Sequence, residues 1–173
     1  MKSKVFLFIT IAIVVAMTAA PLMAQQKHAE RIDKKNGFSI ITPEGFTVIE
    51  NPGSPFKGLK GPEEDYTPTI AFAVYNTSAK VDVFVIRSVM ASLNRNPSII
   101  SVKREAFTTS KGLKGERVIA NISLPDGRPA IITDYYFPGN KKIIQVNFAV
   151  IADFAEKYND LFEETARSFE LTN

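Results

Sequence analysis

Glu116-Arg117-Val118-Ile119-Ala120-Asn121-Ile122-Ser123-Leu124, followed directly by Pro125-Asp126-Gly127-Arg128, is the stretch on which the fold turns. Val118, Ala120, Ile122 and Leu124 fall on one side, with Arg117, Asn121 and Ser123 on the other. A period of two marks a strand with one buried face. The tetrapeptide after it has turn chemistry: Asp126 tolerates left-handed backbone angles and Gly127 adopts them freely. Ala130 to Phe137 reads as a second strand, Pro138-Gly139-Asn140-Lys141 as a second turn, and Ile143 to Val150 as a third strand. In that third strand Ile144, Val146, Phe148 and Val150 share a face. At Asp153 the period becomes helical. Phe154, Tyr158, Leu161, Phe162 and Phe169 line one side, and Asp153 with Glu156 has the spacing of an N-terminal capping box. A helix of this length is marginal alone in water, so it must dock on the sheet.

Working back from the meander, Ser98 to Thr109 reads as a strand. Ile100, Val102 and Ala106 lie on one side, and Lys103, Glu105 and Phe107 on the other. Gly112 and Gly115 let the chain reverse into Glu116. Lys80 to Asn96 carries two patterns. Val81, Val83 and Val85 alternate, but Val85, Ile86, Val89, Met90 and Leu93 form a longer helical stripe, and Asn94-Arg95-Asn96-Pro97 is a helix stop. The longer pattern predicts a helix over about 80–96. Thr69 to Asn76 is rich in β-branched and aromatic residues and predicts a strand. Gly37 to Thr42 and Phe46 to Ile49 read as two short strands, joined into a hairpin by Pro43-Glu44-Gly45. Residues 51–68 are crowded with proline and glycine and predict a long loop, with a short strand around Phe56 to Leu59.

The first 24 residues have another character. Lys2 and Lys4 precede an apolar run from Val5 to Met17, and small residues lead to Ala24. This is the layout of a secretory signal peptide, with cleavage expected after Ala24. Polar residues 25–36, which include His28, then predict a flexible arm, and residues 37–173 a single domain. Cleavage removes two lysines and no acid, so the net charge falls from +3 to +1. A near-neutral domain is a poor partner for nucleic acid. A second apolar segment of membrane length is absent from the sequence, so no stable insertion is expected after cleavage. The sequence has no cysteine, which excludes disulfides, thiolate catalysis and cysteine-ligated zinc.

Phe38-x-Ile40-x-x-Pro43-x-Gly45-Phe46 resembles the opening motif of the PsbP-like fold. The order of early strands, helix, strand, glycine pair, meander and a last helix ending in Ser168-Phe169 is similar to that family from about Gly37 to Leu171. This chain departs in two ways: Phe46 stands where many relatives have tryptophan, and the lipid-anchoring cysteine of some bacterial relatives is missing. The resemblance implies an α+β fold, an α/β/α sandwich with a central antiparallel sheet between helices at about 80–96 and 153–169. Roles in that family are disparate: an extrinsic photosystem subunit, a nuclear GTPase-binding protein, and envelope proteins of unassigned role. A shared fold does not transfer a function.

Catalytic parts are scarce. The one histidine lies in the polar arm, and no nucleophile elbow, zinc-protease helix, phosphate loop or calcium loop is present. The expectation is therefore no catalytic residue, no metal and no cofactor. Glu63-Glu64-Asp65 reads as a solvated loop. Asp134 sits mid-strand between Ile132 and Tyr136, where an ionised carboxylate needs a partner; a cross-strand pair or a wet edge is expected. Positive charge is uneven: residues 51–128 hold 11 basic and 7 acidic side chains, the rest of the C-terminal part 4 and 7. Lys103, Arg104, Lys111 and Lys114, with Arg117, fall on one predicted hairpin, while Lys57, Lys60 and Tyr66 mark the 51–68 loop. The leading expectation is a monomeric, exported, periplasmic or secreted interaction domain that binds another envelope protein through these residues. The other reading is a carrier holding a small apolar ligand between sheet and helix, lined by phenylalanines. A carboxylate-only hydrolase is the weakest.

Overall fold

The computed structural model describes residues 29–33, 36–49, 58–62 and 67–172. The expected leader, His28, Lys57, Glu63 to Asp65 and Tyr66 lie outside them. In chain order the elements are β1 (Ala29–Asp33), β2 (Phe38–Thr42), β3 (Thr47–Ile49), β4 (Gly58–Lys60), β5 (Thr69–Asn76), α1 (Val81–Arg95), β6 (Ile99–Thr108), β7 (Lys114–Ser123), β8 (Pro129–Gly139), β9 (Lys142–Ile151), α2 (Ala155–Arg167) and β10 (Glu170–Leu171). A 3-10 turn at Ala152–Phe154 leads into α2.

The meander forms where the alternation placed it, and β6 to β9 pair consecutively in antiparallel register. With β5 beside β9, the large sheet has the order β3-β4-β5-β9-β8-β7-β6. A small sheet, β1-β2-β10, stands apart. Neighbouring residues on a strand face opposite ways, and the two hydrophobic clusters follow that rule. Tyr135, Phe137, Ile144, Val146 and Phe148 pack against Phe38 and Ile40 of β2 and Tyr158 and Phe162 of α2. On the other face Val118, Tyr136 and Ile143 meet Val85 of α1, with Val81, Phe84 and Val89 alongside. The layers are therefore α1, the seven-stranded sheet, and α2 with the small sheet: an α+β sandwich about an antiparallel centre.

Aromatic rings fill the space between the sheet and α2. Phe38 stacks between Phe72 at 5.7 Å and Phe169 at 5.4 Å, and Phe137 lies 4.2 Å from Phe169. Phe148 and Phe162 meet at 4.8 Å. Each buried ring contributes about 1.5–3 kcal/mol by leaving water.

Several local expectations are corrected. The Pro43-Glu44-Gly45 turn forms, with Phe46 N–H donating to Pro43 O, but it joins two different sheets rather than a hairpin. β2 takes β1 and β10 as partners, whereas β3 pairs with β4. Residues 29–33 of the expected arm are the strand β1, because β2 offers them an open edge. The stripe predicted for α1 divides: Val85 is fully buried, while Ile86, Met90 and Leu93 are exposed. A helix docked along one line can bury only about a third of its circumference. Ile100 sits at a register shift in β6 and turns outward, 67% exposed, away from Val102. Asp153 makes no capping bond, since the 3-10 turn displaces the start of α2. Gly115 belongs to β7 rather than to the turn; its backbone passes so near β8 that a Cβ would lie 2.4 Å from Tyr136 O.

Candidate functional site

The basic residues of the β6–β7 hairpin do not form one cluster. Lys103 and Arg104 are neighbours on β6 and so face opposite sides of the sheet. Lys114 pairs with Thr108, five residues from Lys103, or roughly 17 Å along the strand at ~3.4 Å per residue. Acids match most of this charge. Arg104 Nε donates to Glu116 Oε2 at 2.9 Å, and Lys103 lies 2.8 Å from Glu105. Lys111 is mostly exposed and 3.8 Å from Glu170. Lys60 is half-buried on β4, remote in sheet order from β6.

On the α2 face these charges build a ladder. Arg117 binds Glu105 and also reaches Glu163 at 3.0 Å, while Arg167 holds Glu163 at 2.6 Å. Both guanidinium groups lie over Phe107, at 6.0 and 5.1 Å from the ring centre. The Lys103 and Arg117 contacts pull the Glu105 carboxyl below its ordinary range, and Arg167 followed by Arg117 does the same to Glu163. The ladder ties β6 and β7 to α2.

Beside it a 640 Å³ cavity opens between β2, α2 and the β6–β7 turn, with Ile40, Leu161, Thr165, Ser168 and Lys111 among its walls. It lies outside the ring-filled core in which a carried ligand was expected.

The opposite face holds two less expected features. Val83, Ile86, Met90 and Leu93 recur along α1 at steps of three, four and three residues and are exposed, with Ile100 nearby in sequence on β6. Beneath the helix lies Asp134. Its strand β8 runs between β7 and β9, so the expected wet edge is absent, and the cross-strand reading holds instead. Asn147 is directly opposite and donates its Nδ2 to Asp134 Oδ1 at 2.7 Å; Gln145 Nε2 donates to the same oxygen at 2.6 Å. Tyr136 OH approaches Oδ2 at 3.5 Å, and Tyr75 OH donates to Gln145 Oε1 at 2.6 Å. Burial pushes the Asp134 carboxyl above its ordinary value, against the pull of Asn147, Gln145 and Tyr136. Burial and the nearby Asp134 charge also raise the Tyr75 and Tyr136 hydroxyls, which stay protonated donors. The alternation in β8 located Asp134; the amides of Asn147 and Gln145 became its partners only through the register with β9.

Among the described residues no group of three or more His, Cys, Asp or Glu could hold a metal ion. No described helix is long and apolar enough to cross a membrane.

No protein-family model matches the sequence, and no curated protein matches it. Solved structures do. The chain is similar to cyanobacterial PsbP (CyanoP) of Synechocystis sp. PCC 6803, with a TM-score of 0.59 and 15% identity over 90% of this chain and 98% of that one. It is also similar to LpqN of Mycobacterium tuberculosis, described as involved in cell envelope biogenesis, with a TM-score of 0.62 and 14% identity over 87% and 88%. A Pseudomonas aeruginosa protein of unknown function, PA94, matches with a TM-score of 0.52 and 8% identity over 82% and 94%.

Proposed function

Starting from a chain that has the PsbP-like fold, we propose that it serves as an exported, non-enzymatic accessory domain of the cell envelope. Its contact surface is the outer face of α1. The observation that carries this reading is the exposed apolar line Val83, Ile86, Met90 and Leu93, of which Met90 is 54% and Ile86 48% exposed. Steps of three and four residues make the seam into which another helix packs. The partner is accordingly an envelope protein presenting an amphipathic helix. The leader-like first 24 residues support export, and LpqN, a structural neighbour named for envelope biogenesis, supports the location. Arg104 and Lys114, which the register puts on the α1 side of the sheet with Val118, are proposed as peripheral contributors, whereas Lys103 and Lys111 lie on the α2 side and Lys60 on the remote β4, away from this surface. Charges at a rim set encounter rate and salt dependence more than affinity.

Site-specific photo-crosslinking in the native envelope tests this. A photoreactive residue at position 90 is expected to give a discrete protein adduct, while one at the exposed position 156 of α2 gives none. Ile86→Glu should abolish the adduct without unfolding the domain, because exposed substitutions usually change stability by less than about 0.5 kcal/mol. Equal adducts at both positions, or an adduct that survives Ile86→Glu, would remove α1 as the contact surface.

A further inference from the structure

Asp134 is half-buried, and a carboxylate withdrawn from much of its water is favoured by a nearby counter-charge. Asp134 has none among the described residues. The groups bonded to it, Asn147, Gln145 and Tyr136, are all neutral. The cation in its sheet row, Arg104, stands two strands away across Val118 and is held by Glu116. The strand on each side prevents the carboxylate from reaching open solvent at an edge. Its two oxygens are also unequal. Oδ1 accepts two short bonds, whereas Oδ2 accepts one at 3.5 Å, so about one of the roughly four lone-pair sites of the carboxylate is left open, and it is on Oδ2.

Asp134 lines a cleft of 180 Å³ between α1 and strands β6 to β8. It is the one charged group among the described residues there. Val89, Val102, Ile122 and Ile132 make the walls apolar, and the hydroxyls of Ser88, Ser92 and Tyr136 add neutral acceptors. The volume equals that of roughly six water molecules at ~30 Å³ each, enough for a nitrogen and about four carbons. A single carboxylate suits a divalent metal poorly, because such ions collect several oxygen ligands. One aromatic wall is too few for the ring cage that quaternary ammonium ions favour.

The geometry points to a binding site for a small primary alkylammonium compound, whose charged head pairs with Asp134 and whose alkyl chain lies against the apolar walls beneath α1. The head would donate to Asp134 Oδ2 and the neighbouring hydroxyls, and would supply the counter-charge that the fold lacks. This site is separate from the outer face of α1 and does not depend on a protein partner there.

Titration of the mature protein with n-butylammonium chloride, followed by amide NMR, tests it. Saturable shifts are expected at Ser92, Val102 and Ile132, with n-butanol binding at least about 10-fold more weakly, the usual worth of a hydrogen bond to a charged group. Asp134→Asn keeps the acceptor for Asn147 and Gln145 while removing the charge, and should weaken n-butylammonium by a similar factor. A second readout needs no variant: bound n-butylammonium should lower the pH at which the Asp134 carboxyl carbon titrates. Equal binding of n-butanol, unchanged affinity in Asp134→Asn, or a titration unaffected by the amine would each overturn the assignment.

Discussion

At the scale of a residue, Asp134 sets a pH dependence that the charge ladder opposes. Its folded-state acidity is weakened by burial, so between its ordinary value of 3.8 and its raised folded value the folded chain holds a proton that the unfolded chain releases. Stability from this group is therefore greatest at low pH and falls as pH rises through that window. Glu105 and Glu163 act in the reverse sense: their lowered values add stability that is lost on acidification. The difference between wild type and Asp134→Asn isolates the first effect. Urea unfolding from about pH 4 to 8 should show the variant gaining relative to wild type as pH rises, then holding a constant advantage. A gap that does not change with pH would mean that Asp134 ionises in the folded state as freely as in the unfolded one.

At the scale of an element, the hairpins depend on specific backbone approaches. Gly127 and Gly112, both at φ +83°, have open space around them and serve the turns by conformation alone. Gly115 serves by size. A Cβ there would meet Tyr136 O at 2.4 Å and Phe137 Cδ1 at 2.9 Å, so β7 and β8 would have to separate. Gly115→Ala is expected to cost about 1–3 kcal/mol, the range for overpacking, and to loosen the Glu116–Tyr136 pairing first. Chemical denaturation gives the magnitude, and amide exchange along β7 gives the location. Both glycines of the β6–β7 connection were visible in the sequence as breakers, but only Gly112 behaves as one. The same gap appears in α1, where apolar spacing established the helix but not which apolar residues would be covered. Val81, Phe84, Val85 and Val89 point to the sheet because β7 and β8 lie on that side. Ile86, Met90 and Leu93 are no less apolar and remain outside.

At the scale of the molecule, Phe169 joins three parts: the end of α2, Phe38 of the small sheet and Phe137 of the large one. It is fully buried although it follows the helix rather than belonging to it. Phe169→Ala should cost about 3–5 kcal/mol, a large share of the 5–15 kcal/mol that holds a typical domain. Hydrogen exchange should show β2 and β10 losing protection before β7 to β9; uniform loss would mean that the small sheet has no independent weak link. By itself the sequence determined the meander, both helices and their approximate limits, and the composition of the core. Those follow from short-range periodicity and turn chemistry, which act between residues a few positions apart. Tertiary structure alone decided that β2 pairs with β1 and the distant β10 rather than with its other neighbour, β3. It likewise decided that acids from four elements, β6, β7, α2 and β10, match the basic hairpin, and that Asp134 comes to rest among amides under a helix. Each of these depends on which surfaces meet across the sheet, and register and docking between distant segments are set by packing that no local pattern encodes.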